Sequence, residues 1–526
     1  MTWTGRTPPT EPGMWLATDV RSSAALGSAE AAAAGAAATS TAARHHRAAG
    51  RREICRRCET RARFRSIDTR RISNFPKTDE NGMHRGHPAG SKQPCKSLYA
   101  CKEFVIGGVA HPARNDRGSP LPQAFDSIRI LDFTQVVAGP YAAQLLGNQG
   151  AEVIKVEPAQ GDQLRKIFKT STQPADADSA AYQLVNRGKR SIAVDLKNPA
   201  GRDAILKIAA GCDVLLENFR PGVMARLGLD YDAVKRVRPD IVYCSISGYG
   251  QTGPLAGEPA YDGTIQAISG MMSNNGHPET GPTRAGFLPV DVPSAFLAAY
   301  AVAAALFRRA QTGRGQYIDL AMIDAAILMQ LSVFSRVFTD GSGGGLIGNR
   351  STAAVLTADA FPCSDGYIAV SAVTRAQGRI VLELAGVDPD LWDDFDPENP
   401  TAPRSQEIAD LVYDAFRKRP MKDWEARLRE AGQSASCVLD TTAVAALDQM
   451  AHRAVFRDDP ADDPAAPRTI GGAFIANEDG PDISGGASAI GADTEAVLTD
   501  FGFSGPEVEA LRKSGAIEVA GAPASS

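Results

Sequence analysis

From about residue 122 the chain alternates short apolar runs with amphipathic stretches, and this alternation leaves it few ways to fold. "SIRILDF" (127–133) reads as a strand, "GPYAAQLLGNQG" as a helix stopped by Gly150, and "AEVIKVE" as the next strand. The three make one β-α-β unit in about 30 residues. The pattern recurs: "SIAVDL" is a strand, Asn198 caps a helix with Pro199 in its first position, and "CDVLLENF" is the following strand. "DYDAVKRVRP" then gives a helix and "DIVYCSIS" another strand. Strands apolar nearly throughout, each followed by a helix, call for a parallel sheet covered on both faces, an α/β fold. The first turn is "TQVVAGP" and carries no G-x-G-x-x-G, so it is not a standard dinucleotide fingerprint.

Further on, residues 294–309 form a helix apolar nearly all round and therefore expected to be buried. The longest apolar run, "AFLAAYAVAAALF", is too short to span a bilayer. "YIDLAM" returns as a strand, and "TDGSGGGLIGNR" reads as a linker, its glycines serving as a hinge or allowing close approach to a ligand. "FPCSDGYIAVSAV" opens a second unit, residues 375–430 are mainly helical in pattern, and 491–517 give two closing helices.

Charge is distributed unevenly. Residues 1–120 hold 20 Lys+Arg against 10 Asp+Glu, whereas the rest of the chain carries a net −15. The basic leader has low-complexity and Arg-dense stretches without apolar periodicity. It reads as a disordered leader, or as following an upstream start codon that is not used, with Met83 one later start; a transit peptide is the other reading. Cys55, Cys58, Cys95 and Cys101, with nearby histidines, have a spacing only loosely like that of a zinc site. Cys212, Cys244, Cys363 and Cys437 read as small buried hydrophobes in a reducing cytosol, so the expected location is cytoplasmic. The acidic body offers no broad electrostatic footprint for nucleic acid.

Few residues carry evident chemistry. The body holds only His277 and His452, which leaves little for a Ser-His-Asp or Cys-His arrangement, and no body segment has metal-ligand spacing. Asp291, in "FLPVDVPSAF", is different. It reads equally as the N-cap of the helix it precedes and as a working carboxylate. Helix dipoles at that place would lower its pKa and keep it ionised. Lying between two apolar segments, it would then be a partly dehydrated nucleophile for an electrophilic carbonyl.

"ILDFTQVVAGPYAAQLLGNQGAEVIKVE", "NRGKRSIAVDL", "CDVLLENFRPGVMARLGL", "ISGYGQTGP" and "TGRGQYIDLAMIDA" resemble the successive blocks of the class III coenzyme A transferases, the CaiB–BaiF family. The resemblance runs from about residue 122 to 518 and spares the leader. It implies a Rossmann-like large domain with a parallel sheet, a smaller inserted α+β domain, and an interlocked homodimer. The matching boundaries are a leader over 1–120, the large domain over 121–335, a linker over 336–356, the small domain over 357–465, and a return to the large domain over 466–526. It implies acyl-CoA:carboxylate CoA transfer through aspartyl anhydride and aspartyl-CoA thioester intermediates, with Asp291 as catalytic residue. It further implies that Gln135 lies by the thioester and Val194 to Lys197 by the adenine and phosphate end. Asn218 and Phe219 would line the CoA groove, Arg226 would pair a phosphate, and Gly248 and Tyr249 would lie near the pantetheine arm. Coenzyme A enters as substrate; no metal, permanently bound cofactor, nucleic acid or membrane partner is expected.

Two alternatives accompany this reading. The first is an α-methylacyl-CoA racemase, which needs two acid/base groups about one carbon. Where those racemases have a histidine before an aspartate, this chain has Tyr261 before Asp262, and a phenol with a pKa near ~10 replaces imidazole poorly. The second is a CoA-binding protein without catalysis. Pro158 after Glu157, and glycines before rather than after Gly348 and Asn349, depart from the formyl-CoA:oxalate pattern. Arg284 would hold the distal carboxylate of a succinyl donor.

Overall fold

A computed structural model describes residues 123–518, apart from 170, 172, 175, 176, 354, 458–467, 473, 478, 483 and 484. The expectations for the leader, including its cysteines, lie outside the described residues. Six parallel strands form the centre: β1 (Arg129–Asp132), β2 (Glu152–Glu157), β3 (Arg190–Val194), β4 (Val214–Glu217), β5 (Val242–Ser247) and β6 (Gln316–Ala321). Their order is β3-β2-β1-β4-β5-β6, with register Ile130↔Val153 on one side of β1 and Ile130↔Val214 on the other. A short strand near the end of the chain, Ile517–Glu518, pairs antiparallel with β3 and completes a seven-stranded sheet. Two residues are too few for a periodicity signal, so sequence reading found the closing helices but not this strand.

Both faces of the sheet are buried, as the unbroken apolar strands require. On one face Ile130, Val153, Leu216 and Ile246 pack under α1 (Ala138–Gly147) and a long helix, Asp291–Thr312. On the other, Leu131, Ile154, Ile192 and Tyr243 pack under Pro199–Ala209, Tyr231–Val237 and the closing helices Thr494–Asp500 and Gly505–Lys513. The predicted cap is in place: the Asn198 side chain accepts from the Ala200 N–H at 3.0 Å, with Pro199 next to it. A separate apolar cluster joins a three-stranded antiparallel sheet (Ala358–Pro362, Tyr367–Ser371, Ala435–Cys437) to the helices Arg375–Ala385, Pro403–Arg417 and Met421–Glu430. Phe361, Phe416 and Trp424 stack at its centre.

Two helices bear on the site. The first, α2, is Asp262–Ile268 and the second, α3, is Asp291–Thr312. The α3 helix is longer than the expected 294–309, and it is long and apolar enough to cross a bilayer, a property it shares with core helices of globular folds. It is not buried all round. Asp291, Ala295, Ala298, Val302 and Ala305 form the packed stripe, against α1 and β5. Phe296, Tyr300 and Phe307 point outward, Tyr300 being 72% exposed and Phe307 69%. Cys212 and Cys244 are buried as expected, but Cys363, just after the strand Ala358–Pro362, and Cys437, at the end of the strand Ala435–Cys437, are only half-buried. Two of the linker glycines are closely packed, whereas a Cβ at Gly341, Gly343 or Gly345 would meet nothing within 4 Å. Gly344 lies against Asn274 and Gly348 against His277, where a Cβ would collide.

Candidate functional site

Strand order reverses between β1 and β4, so the loops leaving their carboxyl ends diverge and open a crevice, the usual ligand position in sheets of this kind. The two loops are stitched together at its base. The Gln135 N–H donates to Asn218 Oδ1 and Asn218 Nδ2 donates to the Gln135 carbonyl, each at 2.8 Å. A cavity of about 260 Å³ lies there, walled by Gln135, Val136, Phe219, Gly248, Tyr261 and Asp291. The start of α1 also opens onto it, through Val137 and Ala138, and no side chain caps that helix end.

Asp291 is 9% exposed and is the first residue of α3. It does not act as the helix cap. Asp262, at the start of α2, takes that role from a distance in sequence: its Oδ2 accepts from the Val290 N–H at 2.9 Å and the Asp291 N–H at 3.0 Å. The expected lowering of the Asp291 pKa is therefore reversed. Burial, and then the neighbouring Asp262 carboxylate, push it up to about 7. Helix dipoles stabilise the anion nearest the free N–H groups, and Asp262 already holds two of them.

Beneath the β1–α1 loop lies a buried charge network. Lys155 donates from Nζ to Asp162 Oδ2 at 3.1 Å and to the Thr134 carbonyl at 2.8 Å. Lys189 donates to Asp132 Oδ2 at 2.9 Å, to Asn186 Oδ1 and to the Pro140 carbonyl. Arg165 reaches Glu157 through both Nε and Nη2. All six charged residues are at most 3% exposed. Burial pushes Lys189 down to about 8, though Asp132 opposes it. Burial likewise works to raise Glu157, but the Arg165 hydrogen bonds and Lys155 outweigh it and leave the carboxyl at about 2. Asp162 also accepts from the Val136 N–H at 3.2 Å and 3.3 Å. Val136 has φ 68°, a left-handed conformation costly for a β-branched residue. The network thus holds a strained residue in the cavity wall.

Residues 125–494 match CoA-transferase family III. The chain belongs to that family. It is 36% identical over 277 residues to a succinyl-CoA:glutarate CoA-transferase of Mus musculus, a match over 51% of this chain and 61% of the mouse protein. It is 33% identical over 334 residues to an acetyl-CoA:oxalate CoA-transferase of Acetobacter aceti, covering 62% of this chain and 84% of that one. Among solved structures, a CaiB/BaiF family protein from Brucella suis superposes with a TM-score of 0.63 at 25% identity, over 72% of this chain and all of the other.

In this family III chain the cavity gathers five of the residues nominated from sequence: Gln135, Asn218, Phe219, Gly248 and Asp291. Tyr249, Val194, Lys197 and Arg226 do not line it. Val194 packs in the core, while Lys197 and Arg226 are exposed on the surface outside. Arg284 does not line it either. Its guanidinium lies over Gly263 in the first turn of α2, where a Cβ would clash. The charged wall residues besides Asp291 are Arg220 and Glu258. Sequence reading passed over Asp262 as a functional carboxylate and missed the lysine network. The available signal for the latter was Lys155, a lone charge inside the apolar run "EVIKVE".

Proposed function

We propose that the chain moves CoA from an acyl-CoA to a free carboxylic acid, with Asp291 as nucleophile. One observation carries this reading. In a family III chain, a buried carboxylate without an ion-pair partner among the described residues opens into the switch-point cavity. An Asp291 oxygen attacks the thioester carbonyl, a C–O bond forms, and the C–S pair leaves with sulfur as CoA thiolate. The thiolate attacks the resulting anhydride to give an aspartyl-CoA thioester and the donor acid. The acceptor carboxylate then takes over the CoA by the same two steps in reverse. Every step exchanges groups of similar energy, so the scheme draws on no ATP. The uncapped start of α1 supports it, since Val137 and Ala138 line the cavity and free N–H groups there would hold the developing oxyanion. The cavity suits the reacting end of a long ligand, with the nucleotide end outside, towards Lys197 and Arg226, where cations would pair phosphates. The names of the relatives favour a dicarboxylic acid as one substrate, and Arg220 is the cation available in the wall.

The test is intact-protein mass after incubation with succinyl-CoA, acetyl-CoA and hydroxylamine. An activated acyl on Asp291 is expected to leave a hydroxamate, a gain of about 15 mass units, absent in Asp291→Ala. No gain with any donor, together with α-proton exchange into deuterated water, would replace this reading with the racemase.

The proposal includes a homodimer. Besides the outward face of α3, with Tyr300 and Phe307, the helix Leu331–Asp340 carries further exposed apolar residues, Leu331 at 68% and Phe338 at 82%. Apolar surface of this kind marks an interface. Light scattering is expected to give twice the chain mass for the wild type and a monomer for Tyr300→Asp/Phe307→Asp. The free thiols Cys212, Cys244, Cys363 and Cys437 suit a reducing compartment such as the cytoplasm.

A further inference from the structure

The start of α2 does more than pack beside the start of α3. Asp262, 4% exposed, binds the Val290 and Asp291 N–H groups through one oxygen, and its other oxygen accepts from Gln266 Nε2 at 2.6 Å. Gln266 in turn accepts from the Ala285 N–H at 3.0 Å. The segment from Ala285 to Asp291 is therefore tied to one turn of α2 at both ends. The arrangement places two carboxylates together and gives the helix-end N–H groups to the one that does not face the cavity. Other charged or titratable groups in this wall are Tyr261 and Glu258, both just before α2, and Arg220 from the β4 loop.

We propose that Asp262 is a positioning residue for Asp291, fixing its backbone and reserving its carboxylate, unpaired and beside a second negative charge, for attack. The proposal rests on the reading of Asp291 as nucleophile. Its chemical consequence is directional. Free enzyme holds two neighbouring carboxylates. When Asp291 forms the C–O bond to the acyl carbon and the C–S electron pair departs with CoA, the aspartyl group becomes neutral and the repulsion from Asp262 ends. The same relief applies in the aspartyl-CoA thioester. Asp262 thus favours the acylated forms over free enzyme without touching the acyl group. The raised Asp291 pKa, with Asp262 as its second cause after burial, is in keeping with this.

The experiment measures hydroxamate formation on Asp291 from succinyl-CoA and acetyl-CoA against pH, and the fraction of enzyme carrying CoA at equilibrium. It compares the wild type, Asp262→Asn and Asp262→Asn/Gln266→Glu. The double variant restores an acceptor for the new amide and for the Ala285 N–H while moving the charge away from Asp291. In both variants the acid limb is expected to move down by about one pH unit, as for loss of a close like charge, and the acylated fraction to fall. A limb and fraction unchanged in the double variant would overturn the proposal while leaving Asp291 as nucleophile. No adduct in the wild type with either donor would instead remove the nucleophile reading, and this proposal with it.

Discussion

Asp291→Asn is expected to abolish CoA transfer, by at least ~10³-fold for loss of a covalent nucleophile, while raising the melting temperature above pH 7. The two effects share one cause. Pushed up by burial to about 7 from the ordinary 3.8, the Asp291 carboxyl binds its proton more tightly folded than unfolded. A raised acid stabilises the fold at low pH and withdraws that contribution as pH rises through the interval between the two values. The withdrawal amounts to at most about 4 kcal/mol by linkage, at alkaline pH. Asparagine does not titrate, so the variant is expected to melt higher at pH 8 and much like wild type near pH 4. The wild-type rate has the opposite slope, falling as pH drops through about 7 because the protonated acid is no nucleophile. Calorimetry at the two pH values and a rate profile across them check both halves. Equal Tm at pH 8 would mean that Asp291 is not held ionised at a cost.

Lys189→Met is expected to destabilise the protein by roughly 3–5 kcal/mol, the usual range when one partner of a buried ion pair is removed. Asp132, fully buried, would lose its ammonium partner, and the Pro140 carbonyl at the start of α1 would lose a donor. The effect is expected to reach the cavity, because Asp132 also anchors Thr134 through its N–H and hydroxyl. Urea unfolding gives the first quantity and the acylation rate at a permissive temperature the second. Lys189→Arg is not a rescue here. Three acceptors surround a single ammonium, an arrangement that a planar guanidinium does not match.

What was legible in the sequence was whatever local pattern decides. β1, α1, β2 and β3 were visible because a parallel strand buried on both faces needs an unbroken apolar run, and the Asn198–Pro199 start needs no tertiary partner. The position of Asp291 was visible for the same reason, but its electrostatics were not. The dipole argument was correct for an isolated helix and failed because burial raises the carboxyl and because Asp262, 29 residues earlier, adds a like charge and had taken the N–H groups. Lys155 and Lys189 were similarly hidden, since a buried charge is intelligible only with its partner, and Asp162 and Asp132 are supplied by other elements. The outward half of α3 was misjudged because a nearly all-apolar composition does not distinguish a helix packed all round from one packed along a single stripe.

The antiparallel strand at Ile517–Glu518 sets a timetable for making the protein. On the ribosome, β3 is translated more than 300 residues before the strand that will lie on its free edge, and the helix Thr494–Asp500 that packs on β3 emerges almost as late. Until then the nascent sheet offers an unpaired edge and a bare apolar face, the kind of surface that chaperones cover and that aggregates otherwise. A nonsense mutation between residues 322 and 491 would leave every proposed catalytic residue in place and still yield a sticky, unfinished sheet.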